Sequence, residues 1–219
     1  NNSIYKIEVK YHRFYSNGSY FGDIIPITQC TEDMFGEENS ELYRKTVTAN
    51  NWCLDRKVLK NLTLRGTFNN PEFYFINFYV NSCKNDSTNI NNPCAPKEVI
   101  DSYLARGYIS FRSIDYLINS KNYTNPSFKI LTDNYYSFSN KYFKQLSLYY
   151  KNVDMNSDNG LIFENMSTKR FIQLENIKEA LTLDTPQDNF CQLMIRMHTT
   201  RDIINRKYTK LQNIIANIG

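Results

Sequence analysis

The chain has 219 residues and a formal net charge of +4, from 26 Lys and Arg against 22 Asp and Glu; a β-sandwich or barrel reaches this length as one unit. The positive charge is spread along the sequence with no Lys/Arg cluster of the kind that tracks a phosphate backbone, so nucleic acid is not an expected partner. No stretch reaches the roughly 18 apolar residues that cross a bilayer. The longest apolar run, residues 73–80, is interrupted by Asn77. The sequence opens on Asn1 with neither Met nor an apolar leader, which reads as a mature product or an excerpt of a longer chain. It holds 29 Asn and 17 Tyr against 7 Gly and 5 Ala. Asn, Tyr, Lys, Ile and Phe have AT-rich codons, so an AT-rich genome is expected. Large flat side chains with few small ones favour strands, whose pleated surface they pack well.

In chain order, Tyr5, Ile7, Val9 and Tyr11 alternate with Lys6, Glu8, Lys10 and His12, a period of two with one wet face that predicts a strand. Residues 73–80 are apolar on both faces, which predicts a central strand covered on both sides. A short helix is expected near 96–106: Pro96 and Glu98 start it, Val99, Ile100, Tyr103 and Leu104 share a face, and Gly107 stops it. A strand over 108–113 follows. Residues 145–153 are strand-like, and 155–160 form a turn before 161–163 return, a hairpin pattern. Two more strands are expected at 170–177 and 190–197, joined by a loop over 184–188. With no internal repeat, the economical architecture is mainly β with a minor helical part: a disulfide-stapled antiparallel β-sandwich. The chain then changes character, because Ile204, Tyr208, Leu211, Ile215 and Ile218 are spaced four, three, four and three. That spacing predicts a C-terminal helix with an apolar assembly stripe. The expected division is therefore a β-rich extracellular domain over 1–199 and a helical segment over 200–219. The segment either packs on its own domain, self-associates, or leads into a membrane.

The five cysteines are Cys30, Cys53, Cys83, Cys94 and Cys191, with no C-x-x-C pair among them, so neither zinc nor a redox site is expected. Between Cys83 and Cys94 lies a polar stretch with almost nothing to bury. A Cys83–Cys94 disulfide would tie its ends, and closing a loop of about 12 residues is worth roughly 3 kcal/mol. Cys30 and Cys53 then pair by elimination. Cys191 alternates with Leu193, Ile195 and Met197 and is expected as a buried thiol that acts as a small hydrophobe. Five reduced cysteines in a cytosolic protein is the competing reading. Asn-x-Ser/Thr occurs at Asn1, Asn17, Asn61, Asn85, Asn122 and Asn165. Asn17, Asn85 and Asn122 stand in polar turn contexts, so N-linked glycans are expected and no cofactor is.

Catalytic chemistry finds little to work with. The two histidines, His12 and His198, both read as surface residues on strand faces. No Gly-x-Ser-x-Gly elbow, Gly-rich phosphate loop or H-E-x-x-H pair is present. Glu32, Asp33, Glu37 and Glu38 lie in a polar segment without the apolar pocket that raises an acid's pKa. Asp154 and Asp158 miss the register of a calcium loop.

The order of several short motifs resembles a family of two-pass membrane proteins of ciliates, the group that includes Tetrahymena and Paramecium. They are Pro-Ile-Thr-Gln-Cys30, Asn-Trp-Cys53-Leu, Leu-Arg-Gly66-Thr-Phe68, Phe-Tyr-Val-Asn-Ser-Cys83, Asp158-Asn-Gly160-Leu-Ile-Phe163 and the closing Ala216-Asn217-Ile218-Gly219. The resemblance implies an ectodomain between two membrane helices that lie outside this segment, and no reaction. The expected function is therefore a non-catalytic extracellular glycoprotein domain in cell-surface structure, adhesion or self-assembly, whose partners are copies of itself or other surface proteins. The alternative is the ectodomain of a two-helix receptor or ligand-gated channel subunit, which rests on layout alone.

Overall fold

The computed structural model describes residues 3–35, 51–84, 93–119, 121–122, 125–183 and 189–218, with the side chains of Asp33, Phe35 and Arg56 left aside. Among the described residues ten strands carry the fold: β1 (Tyr5–Phe14), β2 (Tyr20–Ile25), β3 (Ile27–Gln29), β4 (Trp52–Leu54), β5 (Phe73–Ser82), β6 (Gly107–Ile118), β7 (Ser127–Phe138), β8 (Phe143–Asp158), β9 (Met166–Thr182) and β10 (Asn189–Arg206). Short helices span Arg56–Leu59, Lys97–Leu104 and Leu211–Ala216, and a 3-10 turn spans Glu32–Phe35. Six strands form one sheet in the order β2-β1-β5-β10-β8-β9, and two ribbons, β3-β4 and β6-β7, stand apart from it.

One face of the large sheet is the core, and the period of two puts it there. Ile7, Val9 and Tyr11 of β1, Ile76, Phe78 and Val80 of β5, Cys191, Leu193 and Ile195 of β10, and Leu146, Leu148 and Tyr150 of β8 are packed into adjoining clusters. The second layer closes over them in pieces. Ile27, Leu54, Val58, Leu62 and Leu64 cover the β1–β5 side, Phe111 and Tyr136 of the β6-β7 ribbon cover β8 and β10, and Ile100 and Leu104 of the helix cover the end near Ile4 and Cys191. The mainly β, disulfide-stapled, layered architecture read from the sequence is present, with the second layer built from two ribbons and short helices.

Both disulfides lie at the margins of this layer, beside the β3-β4 ribbon and at the end of β5. Cys30–Cys53 joins positions 23 apart in sequence at a Cα–Cα distance of 4.9 Å, beside the β3-β4 ribbon in which Thr28 faces Cys53. Cys83–Cys94 joins positions 11 apart at 5.6 Å. Next to it, Cys83 N donates to Ile4 O and Ala95 N donates to Ser3 O, so one cystine fixes the end of β5, the entry to β1 and the approach to the helix Lys97–Leu104.

Three expectations need correction. The large sheet is not purely antiparallel, because β10 runs parallel to β8 from Cys191↔Lys144 to Arg206↔Ser157. β9 returns antiparallel to β8, and β10 then lies on the far side of β8, so it must run in the direction of β8. The hairpin turn sits later than 155–160: β8 continues to Asp158 and pairs there with Met166, which leaves Leu161, Ile162 and Phe163 in the connection. The segment 200–219 is not one helix, since β10 crosses the expected boundary at 199/200 and continues to Arg206. Ladder bonds from Asn152–Ser157 to Arg201–Arg206 hold it extended, and only Leu211–Ala216 is helical. Strands β2, β3, β4 and β7 had no counterpart in the sequence reading, and the loop expected over 184–188 lies outside the described residues.

Leu148 is fully buried between the β6-β7 ribbon and β10. Leu148→Ala is expected to lower unfolding stability by about 3 kcal/mol, because the removed atoms leave a cavity that flanking strands close only in part. A urea melt checks it.

Candidate functional site

The sequon asparagines that the structure describes are all exposed: Asn17, Asn61, Asn122 and Asn165. Asn1 and Asn85 lie outside the described residues, as do Glu37 and Glu38. Asn17 holds the β1–β2 turn, its Oδ1 accepting from Ser19 N at 3.0 Å and Ser19 Oγ at 2.7 Å. Asn122 and Asn165 sit at one end of the molecule and are tied there by buried polar groups. Arg206 donates to Asn122 O at 2.7 Å and to Ser157 Oγ at 3.2 Å. Asp158 accepts from Asn165 N at 3.0 Å and Gly160 N at 3.1 Å, and Lys210 Nζ lies 2.8 Å from its other oxygen. Asp158 acts as a clasp: the Lys210 ammonium and two backbone donors surround it, and they hold its pKa down at about 2. No group of acids, histidines or cysteines arranged to hold a metal occurs among the described residues.

The expected assembly stripe is divided. Ile204 packs inward against Val153, Met155 and Phe171, and Tyr208 stands in the connection under the Arg206 guanidinium, 5.1 Å from its ring centre. Leu211, Ile215 and Ile218 are exposed, and the structure adds neighbours that the spacing did not show. Leu211 N donates to Leu161 O at 3.0 Å, which seats the terminal helix against the connection whose Leu161, Ile162 and Phe163 are themselves exposed.

His12 is not a surface residue. Only 7% exposed, its ring stacks at 4.8 Å on Phe75, its Nδ1 meets Tyr20 Oη at 2.7 Å, and its Nε2 meets Tyr79 Oη at 3.1 Å. Alternation placed it on the polar face; what alternation does not show is that neighbouring strands bring their own aromatic rings to that face. Cys191 is fully buried beside Val80, Leu104 and Phe138, as expected, and burial raises its pKa to about 11. Such a thiol is protonated and unreactive, and its burial bars an intermolecular bridge in the folded domain.

The feature that sequence reasoning missed lies where the ladders slip. Register shifts occur between Tyr149 and Tyr150 in the β8–β9 pair and between Met197 and Arg201 in the β10–β8 pair. Register shifts of this kind bend strands and re-aim side chains. At this level a cavity of about 280 Å³ opens, lined by Tyr149, Lys178, Arg196 and His198 of the sheet and by Thr67, Phe68 and Asn69 of the loop before β5. Arg196 lies 4.3 Å and Lys178 5.3 Å from the centre of the Tyr149 ring, and Arg196 Nη2 donates to Tyr149 Oη. Gly66, at φ +66° and with its Cα facing Glu72 O, turns the loop so that Thr67 to Asn69 form the wall. The signal was present in the sequence as broken parity: inward residues step from Tyr150 to Val153 and from Met197 to Ile204, both odd intervals.

These features define a mainly β domain stapled by two cystines, compatible with an extracellular or secreted setting. Residues 1–198 match the family model described as "Uncharacterised 80 kDa protein N-terminal domain", and the chain belongs to that family. No curated protein and no solved structure matches it.

Two pH windows follow from the buried groups. Burial, then the Lys10 ammonium, holds the His12 pKa below 6.5. The unfolded chain therefore takes up the proton first, and stability is full above pH 6.5 and falls as pH drops through the lowered folded value. His12→Phe, which keeps the stack, is expected to flatten that window in urea melts between pH 7.5 and 5. Asp158 contributes stability above its ordinary value of 3.8 that is lost as pH falls through about 2. Asp158→Asn is expected to speed amide exchange at Leu211 and Asn165 at neutral pH.

Proposed function

We propose that this chain is a non-catalytic extracellular glycoprotein domain of the cell surface that assembles with copies of itself. The observation that carries the reading is the apolar end face made by two segments distant in sequence. Leu161, Phe163, Leu211, Ile215 and Ile218 expose 70%, 80%, 47%, 61% and 81% of their surface. Exposed apolar residues on two segments joined by the Leu211 N to Leu161 O hydrogen bond suit an interaction site. It is held in place from beneath by the buried Asp158–Lys210 pair and is flanked by exposed Asn165, so a glycan there would stand at the rim of the contact. The resemblance to ciliate two-pass proteins supplies the membrane-tethered setting, and the cystines and exposed sequons suit it. Among the described residues no helix is long and apolar enough to cross a membrane.

Light scattering on the purified protein is expected to show mass rising with concentration. Leu211→Glu combined with Ile215→Glu, both at exposed positions of the terminal helix, is expected to give a monomer with an unchanged circular dichroism spectrum. A wild-type protein that stays monomeric at high concentration would sink the proposal, as would a double variant that assembles normally.

A further inference from the structure

We infer that the cavity between Tyr149, Arg196 and the 66–70 turn is a binding site for an acidic sugar, with the carboxylate or sulfate of the ligand held by Arg196 and Lys178. This goes beyond the assembly reading and does not depend on it, because the cavity and the apolar end face share no residue.

Charge comes first. Two cations stand within 5.3 Å of one ring centre, and among the described residues no carboxylate pairs with either. The acids near the same register shifts are engaged elsewhere: Glu175 and Asp202 both bind Lys151, and Glu179 binds Lys144. Arg196 Nε is buried without a partner among the described residues. Both cations line the same cavity, where like charges repel each other and the ring quadrupole offsets only part of that. An oxyanion between them removes the repulsion and adds charge-assisted hydrogen bonds.

His198 points the same way. Thr200 N donates to its Nδ1 at 3.3 Å, and Thr200 Oγ1 meets the same nitrogen at 2.7 Å. With Nδ1 accepting, the neutral ring carries its proton on Nε2, which leaves a third donor at the cavity wall.

The body of the ligand is read from the remaining lining. A volume of about 280 Å³ is at the small end of ligand sites and takes one ring-sized body. Phe68 is 80% exposed at the lip and packs edge-on against Phe73 at 6.2 Å, which offers an aromatic surface to the C–H face of a sugar. Asn69 presents amide donors and an acceptor beside it, and Thr199 a hydroxyl, which suits a ligand rich in hydroxyl groups.

Titration of the protein with glucuronate, inorganic sulfate and glucose, followed by NMR at Arg196, Met197 and His198 amides, tests the assignment. Glucuronate is expected to bind saturably and more tightly than sulfate, with glucose giving no response. Lys178→Met, at an exposed position that does not threaten folding, is expected to weaken glucuronate about tenfold, and Arg196→Gln to weaken it further. Phe68→Ala is expected to weaken glucuronate about threefold and leave sulfate unchanged. Equal affinity for sulfate and glucuronate, or equal response to glucose, overturns the sugar assignment. Absence of any anion response, or full affinity in Lys178→Met and Arg196→Gln, overturns the site.

Discussion

β8 and β10 run side by side from Lys144 and Cys191 to Ser157 and Arg206, and the rest of the molecule is arranged around that parallel contact. Most of the fully buried side chains, Leu146, Leu148, Val153, Met155, Cys191 and Leu193, belong to these two strands, with Val9 of β1 and Leu104 of the helix beside them. The β6-β7 ribbon packs on them, β9 hangs from β8, and the β2-β1-β5 half of the sheet joins β8 and β9 through β10. In the same ladder Arg196 stands opposite Tyr149, just before the slip that follows Met197, and the cavity lies at that level. Core and candidate site are thus two results of one pairing, read above and below the sheet.

The sequence was most readable where a single physical cause acted alone. β1 and β5 follow from period-two patterns, and the helix Lys97–Leu104 from its Pro, Glu and Gly signals. The Cys83–Cys94 cystine follows from the cost of leaving a polar stretch untied, a local argument that needs no knowledge of the fold, and Cys30–Cys53 follows from it by elimination. What remained hidden depended on partners distant in sequence. His12 looks solvated until Tyr20 and Phe75 arrive from the neighbouring strands. Ile204 fits a helical stripe until the edge of β8 offers backbone bonds that hold it extended. The cationic cavity could not be read from Arg196 or Lys178 singly, since a lone surface cation is ordinary; it is the missing carboxylate, a property of the folded neighbourhood, that distinguishes them.

Polar groups in this domain work as fasteners. Asp158 gathers Lys210 and two backbone amides, Lys151 gathers Glu175 and Asp202, and Arg206 joins Ser157 to the β6–β7 end at Asn122. Each joins neighbouring strands or connections through charge or hydrogen bonds. That is where a burial penalty is worth bearing, because a buried charge without its partner is strongly unfavourable. The apolar end face rests on these fasteners, so a surface that looks peripheral is set by groups inside.

The insertion of β10 between β5 and β8 also governs the order in which the chain becomes a protein. Until residue 189 emerges from the ribosome, β2-β1-β5 and β8-β9 are separate pieces with no ladder between them, and β5 and β8 each carry an open edge. Such edges pair readily with neighbouring chains, and contacts this distant in sequence form slowly. That strand is the keystone of the sheet, and a nascent chain of this domain needs protection from its neighbours until β10 has been made.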